Sequence, residues 1–502
     1  MRLADYLDKG ASLGPSAPCL TMAGVSLSYA SVQELSWRVA RALDRSGVHP
    51  GEKVAILSGN DPTAFACVFG ISRAGAVWCP VNPRNAAGEN RDLLELFDCT
   101  CLLYQSSFEE LVSEIRPDLP GLKTVVCLDD GSFPEWLGDP SPWEAPPVDD
   151  VVMIVGTGGT TGRPKGVVLT GHNIETMTAL TLLSYPFEGR PRYLALAPLT
   201  HAAGVLCFPV MTLGGEIVVM PSPDLAEFAV LVGRHRITHA FLPPTLIYLL
   251  LDSAVSSLDP SSLQCLWYGA APMSVARLQE AIERIGPVFG QLFGQSEAPM
   301  MISTLAPADH LLPDGSPALS RFASAGKPTP LTQVAIVDSD DRFLPAGERG
   351  EIVVRGPLVM AGYYQDPAAT AAVSRGGWHH TGDIGYLDSD NYLYIVDRLK
   401  DMIISGGFNV YSAEVEQALM SHPAVRDCAV VGLPHEKWGE QVTAVVQFHA
   451  GRGVSAAELR EFAKGLLGSV KAPKEVLVWA DLPRSKVGKV LKGEVKAQLL
   501  SP

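Results

Sequence analysis

The chain reads as an α/β multidomain protein, with a large N-terminal domain of layered α/β sheets, a β-rich subdomain and a small α+β C-terminal domain. Three features predict this. Short apolar runs alternate with amphipathic helical stretches over the first 300 residues, the mark of strands joined by covering helices. Residues 305–349 then turn rich in Pro, Gly and Asp. The final hundred residues restart an α+β pattern.

Residues 31–46 carry apolar positions at helical spacing and stop at Gly47. Val54–Leu57 then reads as a buried strand, and a helical stretch leads to another at Val77–Val81. Further strand-like runs are Thr124–Leu128, Val151–Val155, Tyr193–Leu196, Ile217–Met220 and Thr238–Leu242. Helical stretches separate most of them, so parallel sheets are expected. In the irregular middle, short strands are expected at 334–337 and 351–355. The C-terminal part offers a helix near 412–420, strands at 429–432 and 442–448, and a helix at 455–467. The domain boundary falls near Arg398–Asp401, and no fixed-period repeat is visible.

The formal net charge of −15 argues against a nucleic-acid partner, because a phosphate backbone demands a basic face. Anionic small ligands stay compatible if the positive groups are local. The nine cysteines show no C-x-x-C pair and no zinc spacing, which fits reduced, buried thiols. The opening MRLADYLDKGASLG lacks the apolar segment of a secretory leader, and no run approaches about 18 apolar residues. A cytoplasmic protein with no transmembrane segment is expected.

The strongest local signal follows the run Val151–Val155: Thr157-Gly158-Gly159-Thr160-Thr161-Gly162-Arg163-Pro164-Lys165-Gly166. Glycines let backbone N–H groups turn towards an anion without a Cβ in the way. Threonine hydroxyls and a lysine add donors and charge. A triphosphate needs such a loop, although a generic Gly/Thr-rich loop is more often a surface turn. It fits neither GxxxxGK[ST] nor G-x-G-x-x-G, because Thr161 stands where the third glycine belongs.

Other segments follow in order. They are Pro198-Leu199-Thr200-His201-Ala202-Ala203-Gly204, Tyr268-Gly269-Ala270-Ala271-Pro272, Phe293-Gly294-Gln295-Ser296-Glu297, and Trp378-His379-His380-Thr381-Gly382-Asp383. Beyond them come Asp397-Arg398-Leu399-Lys400-Asp401, Ile404-Ser405-Gly406-Gly407-Phe408-Asn409-Val410, and Pro483-Arg484-Ser485-Lys486-Val487-Gly488-Lys489. The ordered set, spread over nearly the whole chain, resembles the adenylate-forming superfamily of acyl-CoA synthetases, luciferases and peptide-synthetase adenylation domains.

The resemblance implies domains of 1–398 and 402–502, joined by a hinge at 399–401 with Lys400 as pivot, and a mobile C-terminal domain. It implies ATP, Mg2+ and coenzyme A as cofactors. The implied nucleotide contacts are Thr157, Gly158, Gly159, Thr160, Thr161, Lys165, Gly269, Ala270, Phe293, Gly294, Ser296, Asp383 and Arg398. Asp383 offers an acceptor-only carboxylate suited to two ribose hydroxyls. Glu297 is a hard oxygen ligand of the kind Mg2+ takes beside substrate phosphates. Lys489 would bridge the substrate carboxylate and the triphosphate, offsetting their repulsion. The acyl pocket is assigned to His201, Ala202, Gly204, Tyr268, Gly269 and Met300. His201 reads as its wall or gate, since a carboxylate is already ionised at neutral pH and needs no base. Gly406, Gly407 and Trp438 are the implied coenzyme A contacts.

Three patterns are set aside. Gly10-Ala11-Ser12-Leu13-Gly14 has no apolar strand before it, so it is no nucleophile elbow. His235 and His239 lack H-E-x-x-H and a third ligand, and Cys99 with Cys101 is too sparse for a site. Departures from the family pattern are Gly158 for serine, Ser296 for threonine, and Asp397 where glycine is frequent. The implied reaction activates a small-molecule carboxylic acid as its adenylate and transfers the acyl group to coenzyme A. Transfer to a carrier protein or an amine is the alternative, and a luciferase-like oxygenase or a non-catalytic nucleotide sensor stands further off. The pocket segment has no acidic residue to hold an ammonium group. An uncharged acid is therefore expected, fatty of medium to long chain or aryl, with fatty or bulky alicyclic favoured over a small ring. Oligomeric state, a homodimer included, is left open.

Overall fold

The computed structural model describes residues 1–143, 150–157, 164–253, 255–484 and 490–501. Among these residues the strands form four sheets, of nine, seven, five and five strands. In the first sheet, six strands from Phe289–Gln295 across to Pro18–Met22 are parallel. Its edges are antiparallel: Ala298–Leu305 folds back on Phe289–Gln295, and Val25–Ser28 on Pro18–Met22. The second sheet has a parallel centre of Val151–Thr157, Val77–Val81, Lys53–Leu57, Cys99–Tyr104 and Thr124–Cys127. Lys165–Thr170 returns antiparallel to Val151–Thr157.

The expected parallel sheets thus form the two centres, where continuous apolar runs are buried on both faces. The antiparallel edges were not expected, because a tight hairpin leaves no helix-length gap in the sequence to mark it. The third sheet (Gln333–Val337, Gly350–Arg355, Ser374–Arg375, Trp378–Leu387, Leu393–Arg398) ends at Arg398, and the fourth begins at Ile403. In the fourth sheet the expected strands at 429–432 and 442–448 run longer, as Val425–His435 and Gly439–Phe448. Their pairing continues through Pro434↔Glu440, so the ladder carries the polar positions that composition alone assigned to a loop.

Helices fill the space between the first two sheets. The helix Tyr29–Arg45 is capped by Ser28, whose Oγ accepts the Ser31 N–H at 3.1 Å. It packs on Pro62–Arg73, every residue of which from Ala64 on is buried. Such all-round burial marks a helix enclosed by other layers. A Cβ at Gly70 would come within 2.4 Å of Val39 Cγ1, so glycine permits this close crossing. Arg73, buried in the same helix, is bonded to Asp8 and to Ser36 Oγ (2.7 Å). The largest apolar core collects these helices and the facing sides of both sheets. All nine cysteines are buried and unpaired. No described helix is long and apolar enough to cross a membrane.

The carboxyl ends of the two parallel centres meet through Asn60, in the loop after Lys53–Leu57. Its Nδ2 donates to Ala197 O (3.1 Å) and Met220 O (3.0 Å), and its Oδ1 accepts from Leu199 N (2.9 Å). Ala197 and Met220 directly follow strands of the first sheet. Asn60→Ala leaves three backbone groups without their partner. A loss of about 1–3 kcal/mol is expected in urea unfolding of the full chain; a change within a few tenths would show that water replaces all three bonds.

Candidate active site

Open α/β sheets bind ligands beyond the carboxyl ends of their strands, and several of the residues singled out in the sequence lie there. Thr157 and Lys165 face each other as the last pair of the hairpin between Val151–Thr157 and Lys165–Thr170. They are the stems of the loop in which the phosphate contacts are expected. Gly158, Gly159, Thr160 and Thr161 lie outside the described residues. Lys165 Nζ sits 4.8 Å from the centre of the Tyr363 ring, a cation–π contact. Tyr363 OH donates to Glu297 Oε1 at 2.8 Å. Ser296 and Glu297 form the turn between Phe289–Gln295 and Ala298–Leu305. Tyr363 thereby joins the phosphate-loop stem to the proposed magnesium ligand. Sequence reading missed it.

A second network lies beside the first. Asp383 is buried and forms an ion pair with Arg398, Nε to Oδ1, at 2.6 Å. The two stand opposite each other in adjacent strands of the third sheet. Gln295 Nε2 donates to Asp383 Oδ2 (2.8 Å) and to Thr381 O (2.8 Å). Thr381 Oγ1 accepts the Asp383 N–H at 3.1 Å and donates to Ile352 O at 2.7 Å. Gly382 takes φ +68°, a conformation L side chains rarely adopt. His379 is buried with its Nε2 3.4 Å from Gln295 Oε1; burial lowers its pKa, while nearby Glu297 pulls the other way. Gln295 was quoted in its motif but given no role, yet it ties the Glu297 turn to the Asp383 carboxylate.

Backbone geometry is unusual where the adenine and acyl groups are expected. Ala270 (φ +64°) and Met300 (φ +63°) both lie in the left-handed region, which costs energy for a residue with a Cβ. A Cβ on Gly269 would stand 2.3 Å from Leu292 O, and one on Gly294 would stand 2.2 Å from Met300 N. Glycine is therefore required at both places for strands to close up. Phe293 precedes Gly294 at a register shift between the same two strands. Strained non-glycine residues beside close-packed glycines are a recurrent feature of built sites.

The acyl-pocket assignment needs one correction. Tyr268 is fully buried in the second core, and its OH lies 3.0 Å from His310 Nε2. Alternate residues of Cys265–Gly269 face opposite sides of the sheet. Trp267 faces the largest core with Leu199, Val205, Phe208 and Met300, and Tyr268 faces away. Gly204 is buried in tight packing: its Cβ would stand 1.9 Å from Leu199 O. Ala202 remains partly exposed next to His201, which precedes the short helix Ala202–Val205. His201 Nδ1 lies 2.9 Å from Thr200 Oγ1. Burial, and then the charge of Arg84, lower its pKa to about 4.

In the C-terminal part, Gly406 (φ +60°) and Gly407 (φ +83°) form the two-residue turn between Ile403–Ser405 and Phe408–Val410. Two positive φ angles are what such a hairpin demands. Gly406 N donates to Trp438 O at 2.7 Å, and the indole covers the turn so closely that a Gly406 Cβ would stand 3.1 Å from Cε3. Lys400 lies exposed in the turn 399–401. Lys489 lies outside the described residues. Arg484, just before its segment, lines a cleft of about 690 Å³ together with Thr245, Tyr248 and Ser274 of the N-terminal part. Ser274 is four residues past Ala270 in the sequence.

Residues 7–364 match the family model described as AMP-binding enzyme, and residues 414–489 match the AMP-binding enzyme C-terminal domain. The chain is 36% identical to a medium/long-chain-fatty-acid–CoA ligase of Mycobacterium tuberculosis, over 96% of this chain and 87% of that one. It is also 36% identical to a feruloyl-CoA synthase of Amycolatopsis, over 98% of each. Among solved structures it resembles the amide bond synthetase McbA of Marinactinospora thermotolerans, with a TM-score of 0.90 and 30% identity over 99% of this chain and 100% of that one.

His201 is neutral at neutral pH, because a lowered pKa leaves the ring uncharged until the pH falls towards 4. The stability cost of holding it neutral grows as the pH falls from the unfolded value, about 6.5, to that point, and is fully present below it. Rates of adenylate formation between about pH 5.5 and 8 should therefore carry no ionisation that His201→Asn removes. An inflection near 6.5 that disappears in this variant would refute the neutral reading.

Proposed function

The chain belongs to the AMP-binding enzyme family, and from that premise we propose that it is an AMP-forming acid–thiol ligase. It activates a carboxylic acid through an acyl-adenylate and transfers the acyl group to coenzyme A. The supporting observation is the meeting, where three sheets abut, of the Lys165–Tyr363–Glu297 contact and the Gln295–Asp383–Arg398 network. One group of side chains suits phosphates and the other a ribose.

In the first step the substrate carboxylate oxygen bonds to the α-phosphorus of ATP and the bond to pyrophosphate breaks. Lys165 and the loop it closes counter triphosphate charge, and Lys489 bridges carboxylate and phosphate. Asp383 accepts the ribose hydroxyls, and Arg398 fixes the Asp383 carboxylate. Magnesium fits the donors present, since it takes one or two carboxylates plus substrate phosphates rather than an all-protein cage. Glu297 would hold it with the oxygen that Tyr363 leaves unengaged, and the bound ion neutralises phosphate charge. In the second step the C-terminal domain, 402–502, turns about Lys400 and brings Gly406, Gly407 and Trp438 to the adenylate. The thiol sulfur bonds to the acyl carbon and AMP leaves. No cysteine is needed, in keeping with the buried state of all nine.

The side chains facing the acyl segment carry no acid: Leu199, Val205, Leu206, Phe208, Trp267, Met300 and Met301 share one apolar core. Each buried CH₂ of a tail gains about 0.8 kcal/mol there, whereas an unpaired ammonium costs several. With Tyr268 committed to His310, His201 alone remains for a polar substituent. The acid is accordingly uncharged along its tail, fatty or aryl.

Two measurements test the reading. Lys489→Ala should slow adenylation by about 10²–10³ while sparing thioester formation from supplied acyl-adenylate; equal losses in both steps would remove Lys489 from its role. Across acetate, octanoate, dodecanoate, benzoate, 4-coumarate and phenylalanine, kcat/KM should favour the apolar acids, with AMP release dependent on coenzyme A. Preference for acetate or phenylalanine would overturn the pocket, and release without coenzyme A would point to an amine or carrier-protein acceptor.

A further inference from the structure

Asp397 departs from the family pattern, and the structure gives its carboxylate a use. It ends the third sheet beside Arg398, three residues before Lys400, and is only 5% exposed. The carboxylate receives the backbone N–H of Ser412 and its hydroxyl, with Oγ 2.9 and 2.8 Å from the two oxygens. Ser412 opens the helix Ser412–Met420, on the far side of the hinge. Its Oγ in turn accepts from Lys492 Nζ at 2.6 Å, and Lys492 pairs with Glu416 at 2.8 Å. Glu416 is buried and also accepts the Val430 N–H at 2.8 Å. Burial alone would discharge Lys492, but Glu416 and Asp397 hold it charged.

Lys492 begins the last helix, Lys492–Leu500, three residues beyond Lys489. At the other end of that segment, Arg484 pairs with Asp427 at 2.6 Å and bridges to Val490. Both ends of the lysine segment are therefore tied down. One tie, through Ser412 and Asp397, reaches across the hinge to the residue next to Arg398.

We infer that Asp397, Ser412 and Lys492 form a positioning relay, which holds the start of the last helix, three residues past Lys489, in register with the Arg398 end of the third sheet during adenylation. The inference rests on the two-step function proposed above. Asp397 precedes the pivot and Ser412 follows it, so their bonds break when the domain turns for thioester formation. The relay therefore favours the first step and not the second, and a relative with glycine at this position lacks it.

The test uses the full chain with ATP and Mg2+, in Ser412→Ala, Asp397→Asn and the double variant. ATP–pyrophosphate exchange should fall about tenfold in each, the effect of losing one charge-assisted hydrogen bond. Thioester formation from supplied acyl-adenylate should be equal or faster. The double variant should be no worse than the poorer single, because the two residues act as one unit. Equal losses in both steps, unchanged exchange or fully additive losses would overturn the relay. Ser412→Ala, which removes only a hydroxyl, keeps the test meaningful if Asp397→Asn folds poorly. A wild-type chain inert in both steps would instead sink the proposed function. Trypsin cleavage after Lys400 then decides the relay by itself: faster in Ser412→Ala and Asp397→Asn if it is right, unchanged if it is wrong.

Discussion

The buried carboxylate of Asp383 constrains the site more than any other group. A charge removed from water must be paired and hydrogen-bonded. Arg398 answers from the neighbouring strand of the third sheet, and Gln295 from the end of a strand in the first. Meeting that demand fixes how the two sheets abut. It also fixes the Glu297 turn, two residues past Gln295, and the start of the hinge, one residue past Arg398. A side chain suited to a ribose thus sets the distance between the magnesium-side residue and the domain pivot.

On the proposed function, the chemistry rests on orientation and charge rather than on proton transfer. His201, the nearest imidazole to the acyl segment, is kept neutral by burial. Tyr268 is tied to His310 behind the sheet. Lys165, Tyr363 and Glu297 instead form a linked array of charge and dipole, which on the proposed function serves the phosphates. Such an array needs little reorganisation as charge shifts from the acid to pyrophosphate, the condition under which electrostatic stabilisation is most effective.

Much of this could be read from the sequence, and the exceptions have a common cause. The central strands announced themselves by continuous apolar runs, and the hairpin stem at Thr157 and Lys165 by the strand end at which glycine and threonine cluster. Tyr363 and Asn60 gave no such signal. Their partners lie 66 and about 140 residues away, and a single long-range hydrogen bond leaves no local pattern. Tyr268 was misplaced for a different reason. The Tyr268–Pro272 segment was treated as one surface, whereas a strand sends successive side chains to opposite faces. Applying the two-residue period would have put Trp267 and Gly269 on the pocket side and Tyr268 behind it.

Asp397 teaches the converse lesson. In the sequence it was noted only as a carboxylate where glycine is frequent, and it was given no role. Yet its cost depends on what covers it. Burial pushes its carboxyl pKa upward, while Lys492 and the Ser412 bonds favour the ionised form. Removing Lys492 would leave both Asp397 and Glu416 charged and buried, so the three ionic groups stand or fall together. A carboxylate at the proposed hinge is therefore tolerated only with its partners in place, and those partners sit on the helices Ser412–Met420 and Lys492–Leu500, the second of which begins three residues past Lys489. The end of the third sheet and the start of the last helix are consequently coupled by electrostatics as well as by chain connectivity.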